Sequence, residues 1–141
     1  MRASIVDKIA VIVGVFFVGG CIPKIVPLQP YHDMMVDTFK FWAHVCPLVE
    51  LGFPMPNAAF YRTLCGVAEL CFGSLLAFGK PFVRRGSALI LMSISVISVY
   101  SMVVLGSTVE VIPAILLALL LFVCVFHGFK ETTQQIKPKK E

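Results

Sequence analysis

The chain has 141 residues, of which 58% are hydrophobic and only 14% are charged, and its mean hydropathy is +0.91. Soluble globular domains typically have about 25% charged residues, so this composition excludes that class and indicates an integral membrane protein. The net charge of +4 is interpreted as a sign of topology and of contact with anionic lipid headgroups, and nothing in the pattern indicates a nucleic-acid-binding surface.

Four apolar segments follow one another along the chain, and each is long enough with its flanks to cross a hydrocarbon core of about 30 Å. Helices are favoured because a backbone in lipid must satisfy its own hydrogen bonds. We therefore predict an all-α membrane protein with a single domain. Its transmembrane helices are expected at residues 5–25, 59–78, 86–106 and 110–129, with a luminal loop at 26–58 and a cytosolic tail at 130–141.

The lysines and arginines are divided unevenly between the two sides of these helices. With a cytosolic N-terminus, the inner side carries Arg2, Lys8, Lys80, Arg84, Arg85, Lys130, Lys137, Lys139 and Lys140, and the outer side carries Lys24, Lys40 and Arg62. The positive-inside rule then predicts that both termini are cytosolic. A first segment cleaved as a signal near Gly19, Gly20 and Cys21 is the alternative, and it would move the basic tail to the outer side, against this bias.

The loop between the first two transmembrane helices is predicted to contain a short amphipathic helix, from Tyr31 to Cys46. Met35, Phe39, Trp42 and Cys46 follow helical spacing on one face, Asp33, Asp37, Lys40 and His44 follow it on the other, and Pro23, Pro27 and Pro30 are expected to prevent regular helix before it. The apolar face with the only Trp favours a helix in the outer membrane interface or a lid over the helix ends. A client-binding surface is the functional alternative.

Glu69 is a lone carboxylate in the middle of the second apolar segment, where an ionisable group is costly and needs a partner. Gly66 and Gly73 lie on the same stripe of that helix, so a neighbouring helix is expected to approach closely there. One interpretation is a structural ion pair, with Lys24 as the candidate cation, or a protonated acid bonded to a Ser. The other is a polar handle offered to the transmembrane helix of another protein, or a ligand contact. Arg62 lies about 10 Å from Glu69 along the helix axis, which disfavours direct contact.

Sequence patterns of catalysis and metal binding are missing. His32, His44 and His127 do not have metal-ligand spacing, and the sequence has no glycine-rich phosphate loop, serine nucleophile motif or paired carboxylates. The five cysteines include no C-x-x-C, and the pairing of Cys21, Cys46 and Cys65, all expected toward the outer side, is left open. We therefore predict no enzymatic activity and no cofactor.

Several fragments of the chain together resemble a known family. They are Gly14-Val-Phe-Phe-Val18, Lys24-Ile-Val-Pro27, Pro47-Leu48 with Gly52, and Arg62-x3-Gly66-x2-Glu69 with Cys71 and Gly73. In order and spacing they are similar to the novel acetylcholine receptor chaperone family (NACHO), a branch of the DoxX-like membrane proteins. The resemblance runs from the first transmembrane helix through the second.

This resemblance implies a non-enzymatic chaperone of the endoplasmic reticulum membrane that helps nicotinic acetylcholine receptor subunits fold and assemble. It implies importance for Lys24, Arg62, Gly66 and Glu69. Lys137 and Lys139 near the C-terminus resemble a di-lysine retrieval signal, which requires a cytosolic tail. The alternatives are a cargo receptor of the early secretory pathway and a DoxX-like membrane subunit associated with redox or quinone chemistry. The client subunits and the oligomeric state are left open.

Overall fold

The computed structural model describes residues 2–127 and residue 129. Over this part the chain forms six helices and no strand: α1 (Arg2–Ile25), α2 (Tyr31–His44), α3 (Pro47–Glu50), α4 (Ala58–Phe78), α5 (Pro81–Val104) and α6 (Thr108–His127). In length and apolar composition, α1, α4, α5 and α6 are able to cross a membrane. The predicted all-α membrane protein, with four transmembrane helices and a short helix between the first two, is confirmed.

The four long helices pack as one bundle, in which α4 lies between α1 and α5 and α6 contacts both α5 and α1. Their shared core contains Val6, Ala10, Val13, Phe17, Leu76, Ala88, Leu91, Leu121, Cys124 and Val125. Many of the larger apolar side chains of these helices point outward instead. This is the expected arrangement where lipid surrounds the protein, because burying apolar groups between helices then gives little advantage over leaving them in the lipid.

Helix α1 ends at Ile25, the end predicted for the first transmembrane helix, and it includes Pro23, which therefore does not prevent regular helix as Pro27 and Pro30 were also expected to do. A proline inside a helix removes one backbone hydrogen bond, and its ring crowds the carbonyl four residues earlier, here that of Gly19. The helix ends two residues later, at Ile25. His32 Nδ1 lies 2.9 Å from the carbonyl oxygen of Pro23, which gives that end of the helix a polar contact from α2.

Helix α5 begins at Pro81 and not at residue 86, and α6 runs from Thr108 to His127 where residues 110–129 were expected. Pro81 stands at the first helical position, where its missing amide costs nothing. Arg84 and Arg85 precede the apolar segment, but they already belong to the helix.

Arg84, one turn into α5, holds one end of the bundle together. Its Nη1 donates to Asp7 Oδ1 at 2.7 Å on α1, and its Nε donates to the carbonyl oxygen of Leu76 at 2.8 Å on α4. The guanidinium carbon lies 4.5 Å from the ring centroid of Phe129. A single planar cation therefore ties three helix ends together, through the several donors that a guanidinium presents in fixed geometry.

At the opposite end of the bundle, α2 packs its apolar face onto α1 and α4. Phe39 is 1% exposed, and its ring centroid lies 5.1 Å from that of Trp42 and 5.3 Å from that of Tyr61. The polar residues of the opposite face are exposed. In this packing, α2 forms a lid over the ends of α1 and α4. The single turn α3, which starts at Pro47, was not predicted.

Candidate functional site

Lys24 and Glu69 form a buried ion pair between α1 and α4. The Lys24 Nζ donates to both carboxylate oxygens of Glu69, at 2.5 Å to Oε1 and 2.6 Å to Oε2. The two side chains are 15% and 6% exposed, respectively. The same ammonium lies 5.9 Å from the ring centroid of Phe39 in the lid helix. Compensation of the carboxylate by a directly bonded cation explains how an acid is tolerated within a membrane-spanning helix.

The pair forms because α1 and α4 approach each other at glycines. A Cβ atom built on Gly66 would lie 2.9 Å from Ile25 Cγ1 and 3.2 Å from Lys24 Cβ. Lower in the bundle, a Cβ on Gly73 would lie 3.0 Å from the carbonyl oxygen of Gly14. Side chains at these positions would separate the two helices, so the glycines bring the end of α1 within reach of Glu69.

The stripe of Gly66, Glu69 and Gly73 is therefore covered by α1 of the same chain. All three residues are buried. The hypothesis of an open stripe that docks the helix of another protein is wrong in that form, because the required close neighbour is internal. The structure instead contains the ion pair that the sequence analysis gave as the structural interpretation of Glu69, and its cation is Lys24.

The ion pair can nevertheless be reached from a cavity of about 340 Å³. The cavity lies between α1, α2, α4, α5 and α6, and its lining includes Phe17, Lys24, Met35, Thr38, Phe39, Trp42, Glu69, Ser95, Ser98, Glu110 and Leu117. Phe16, Gly20, Met34 and Glu110 line it and are exposed on the outside of the protein, so they form its rim. Small-molecule sites commonly have this character, with mostly apolar walls and a few converging polar groups.

The other predicted site residues are distributed as follows. Met35 and Trp42 lie in the wall of this cavity, above the ion pair. Arg62 lies one turn into α4 and forms none of the three salt bridges found among residues 2–127 and 129. Cys21, Cys46 and Cys65 are free thiols. Lys137 and Lys139, the predicted retrieval signal, lie outside the described residues.

Sequence reasoning did not assign the residues that shape the cavity, chiefly Gly20 and Ser95. In the sequence, Gly20 stands out only as one of the small residues at a possible cleavage site, and Ser95 is one of several serines in α5. The spacing of Gly20 and Lys24, four residues apart, places both on one face of α1, and this was the available signal. For Ser95 there was none, because the sequence does not say which face of α5 points into the bundle.

This arrangement provides a hydrogen-bonding ion pair in an apolar recess. Among the described residues there is no group of three or more His, Cys, Asp or Glu side chains that is able to hold a metal ion. The site is therefore suited to recognising a polar group within an apolar surface. No protein-family model matches the sequence, and a search of curated proteins finds no matching relative.

Proposed function

We propose that this chain is a chaperone of the endoplasmic reticulum membrane that promotes the folding and assembly of nicotinic acetylcholine receptor subunits. The proposal starts from the family resemblance carried by Lys24, Arg62, Gly66 and Glu69. The observation that best supports it is that the Lys24–Glu69 ion pair lines a cavity that opens at the surface of the bundle. The proposed orientation, with both termini cytosolic, and retrieval through Lys137 and Lys139 are parts of the same proposal.

The proposed mechanism is recognition of an unassembled subunit inside the bilayer. The transmembrane helices of such a subunit carry polar side chains that its neighbours will later satisfy, and each is unfavourable against lipid. One such side chain enters the cavity past Gly20 and bonds to the ion pair or to Ser95. The client is released when the correct neighbouring subunit satisfies the same group. Because the glycine stripe of α4 is covered by α1, the cavity replaces it as the proposed contact.

Blocking the cavity at its rim tests this mechanism. A Cβ on Gly20 meets no heavy atom within 4 Å, so Gly20→Leu is expected to fold while its side chain obstructs the cavity. Loss of an interhelical hydrogen bond of about 1–2 kcal/mol should weaken client capture by about five- to thirtyfold. The measurement is surface nicotinic receptor in co-expressing cells, by biotinylation, together with co-precipitation of unassembled subunits and immunoblotting of the chaperone itself.

Gly19→Leu is the matched control. Gly19 is also exposed and also has no heavy atom within 4 Å of a built Cβ, but it does not line the cavity. This variant should support receptor assembly as the unmodified chain does. Equal receptor yields with leucine at Gly19 and at Gly20, at equal chaperone levels, would reject the cavity as the client contact. Unchanged receptor yield when the chain itself is absent would reject the chaperone function.

The same cavity favours a second candidate, which is the binding of a small molecule such as a quinone, since some DoxX-like proteins are associated with quinone metabolism. Its volume of about 340 Å³ lies within the range of ligand sites. Mass spectrometry of the protein purified in mild detergent distinguishes the two candidates. A stoichiometric small molecule that is lost in Gly20→Leu but kept in Gly19→Leu favours the second.

A further inference from the structure

A second pocket, of about 550 Å³, lies between the lid helix α2 and the first turn of α4. It is lined by Val36, Lys40, Ala43, His44, Met55, Pro56, Asn57, Ala58, Ala59 and Arg62. None of these belongs to the cavity that contains the ion pair. The pocket therefore lies at the end of the bundle that carries the lid, where a spanning helix begins, and it combines apolar walls with nitrogen donors.

Arg62 in this pocket has a buried donor without a partner. Its Nε is shielded from solvent and makes no hydrogen bond, and Arg62 takes part in none of the salt bridges among residues 2–127 and 129. The other two cations on this side are engaged, Lys24 with Glu69 and Lys40 with Asp37. Leaving a buried charged donor unsatisfied is costly, so native structures supply an acceptor. Arg62 therefore lacks an acceptor within the described part of the chain.

The surroundings of Arg62 favour an anion over a neutral acceptor. Lys40 and His44 bring two further nitrogen donors to the pocket, and no carboxylate is among its described lining residues. The Nζ of Lys40 is held 2.9 Å from Asp37 Oδ1, but that pair is exposed and able to rearrange. The backbone amides of Ala59 and Phe60 already donate to Asn57 Oδ1, so these two amides are not available to bind an anion. The start of α4 favours an anion only through the helix dipole. The side chains must therefore bind the anion.

We propose that this pocket binds the phosphate of an anionic phospholipid. A guanidinium matches phosphate geometry with two parallel hydrogen bonds, and the pocket lies at the start of a membrane-spanning helix, where lipid headgroups are found. The apolar part of the lining, with Val36, Met55 and Ala59, suits the upper part of an acyl chain, whereas a free phosphate would use only the donors. The lipid fixes the lid helix against α4 through a contact shared by both. This proposal does not depend on the chaperone function.

The test is retention of phosphatidylglycerol by the full chain, purified in mild detergent and examined by native mass spectrometry. The unmodified protein should retain phosphatidylglycerol and retain phosphatidylcholine much less, because the choline cation meets Lys40 and Arg62. Arg62→Gln should lower the affinity for phosphatidylglycerol about tenfold, as expected for loss of a charge-assisted hydrogen bond. Equal retention of phosphatidylglycerol by Arg62→Gln and the unmodified protein overturns the proposal. Displacement of the lipid by millimolar inorganic phosphate also overturns it, since the site would then be one for a free anion.

Two further variants keep the test independent of folding defects. Ala59→Glu places a carboxylate at an exposed lining position and should repel the lipid phosphate while Arg62 stays in place. Lys80→Gln removes an exposed cation outside the pocket and should leave retention unchanged. Equal loss of phosphatidylglycerol in Lys80→Gln and Arg62→Gln would show that net charge alone attracts the lipid. That result would contradict a defined binding site.

Discussion

At the scale of single residues, Lys24 and Glu69 depend on each other. Each would be an uncompensated charge in the bundle without the other, and the two short contacts hold the end of α1 to the middle of α4. Breaking a buried pair by removing one partner is far more destabilising than replacing both by apolar residues, because only the first leaves a buried charge. The second salt bridge on this side, Lys40 with Asp37, is 62% and 67% exposed and so makes a suitable comparison.

Lys24→Met should lower the free energy of unfolding by about 3–5 kcal/mol, since Glu69 then has no cation. The double variant Lys24→Met with Glu69→Leu should recover most of that loss. Thermal unfolding in mild detergent measures both, with the fluorescence of buried Trp42 as the signal. Lys40→Met is the control, with an expected effect of about 0–1 kcal/mol. Similar losses for Lys24→Met and Lys40→Met would contradict the assigned role of the buried pair.

At the scale of helices, the contact of α1 with α4 is made backbone to backbone. A Cβ on Gly14 would lie 2.6 Å from the carbonyl oxygen of Gly73 and 2.9 Å from the amide nitrogen of Ala77. Neither atom can move without moving a helix. Such close approach gives van der Waals contact along the crossing, which is the main source of helix association where lipid replaces water.

Gly14→Ala should therefore destabilise the bundle, by about 1–3 kcal/mol for an overpacked contact. Gly19→Ala is the matched control in the same helix, because its Cβ meets no heavy atom within 4 Å. The control should be neutral or gain about 0.5–1 kcal/mol from the better helix propensity of alanine. Unfolding in detergent, followed as above, compares the two. A Gly14→Ala protein as stable as Gly19→Ala would mean that the helices are not in contact there.

At the scale of the whole molecule, two polar clusters lie at opposite ends of the bundle. One consists of Lys24 and Glu69 beneath the lid helix, and the other of Arg84 with Asp7. The second lies at the end where α4 passes into α5, beside Lys80 and Arg85. The positive-inside rule predicts that this basic end faces the cytosol and the lid faces the lumen, which is the orientation that the proposed function requires.

Glycosylation tests this orientation. An Asn-x-Thr acceptor inserted after Phe53, in the exposed connection between α3 and α4, should be glycosylated in cells, whereas the same acceptor inserted after Lys80 should not. A gel shift that endoglycosidase H removes would report both the luminal side and residence in the endoplasmic reticulum. Replacing Lys137 and Lys139 by Ser should make the glycan resistant to the enzyme. Glycosylation at the acceptor after Lys80 alone would reverse the assigned topology.

Much of the architecture was predictable from local patterns. The four apolar segments predicted the transmembrane helices, and the spacing of Phe39 and Trp42 predicted the face of α2 that is buried. Helix limits were less predictable. The sequence predicted the end of the first helix at residue 25, where α1 ends, but it placed the start of the third transmembrane helix at residue 86, whereas α5 starts at Pro81. Hydropathy marks the boundary of the lipid, and a helix can extend beyond that boundary.

What the sequence determined by itself was the class of protein and the need for a partner to Glu69, since composition and burial of charge are properties of single segments. Only the tertiary structure decided which partner. The close crossing at Gly14 and Gly73 brings Lys24 to the carboxylate, and it covers the stripe that sequence reasoning left open to another protein. The same packing leaves Arg62 without an acceptor within the described residues. Contacts between distant segments depend on helix crossings, which no single segment encodes.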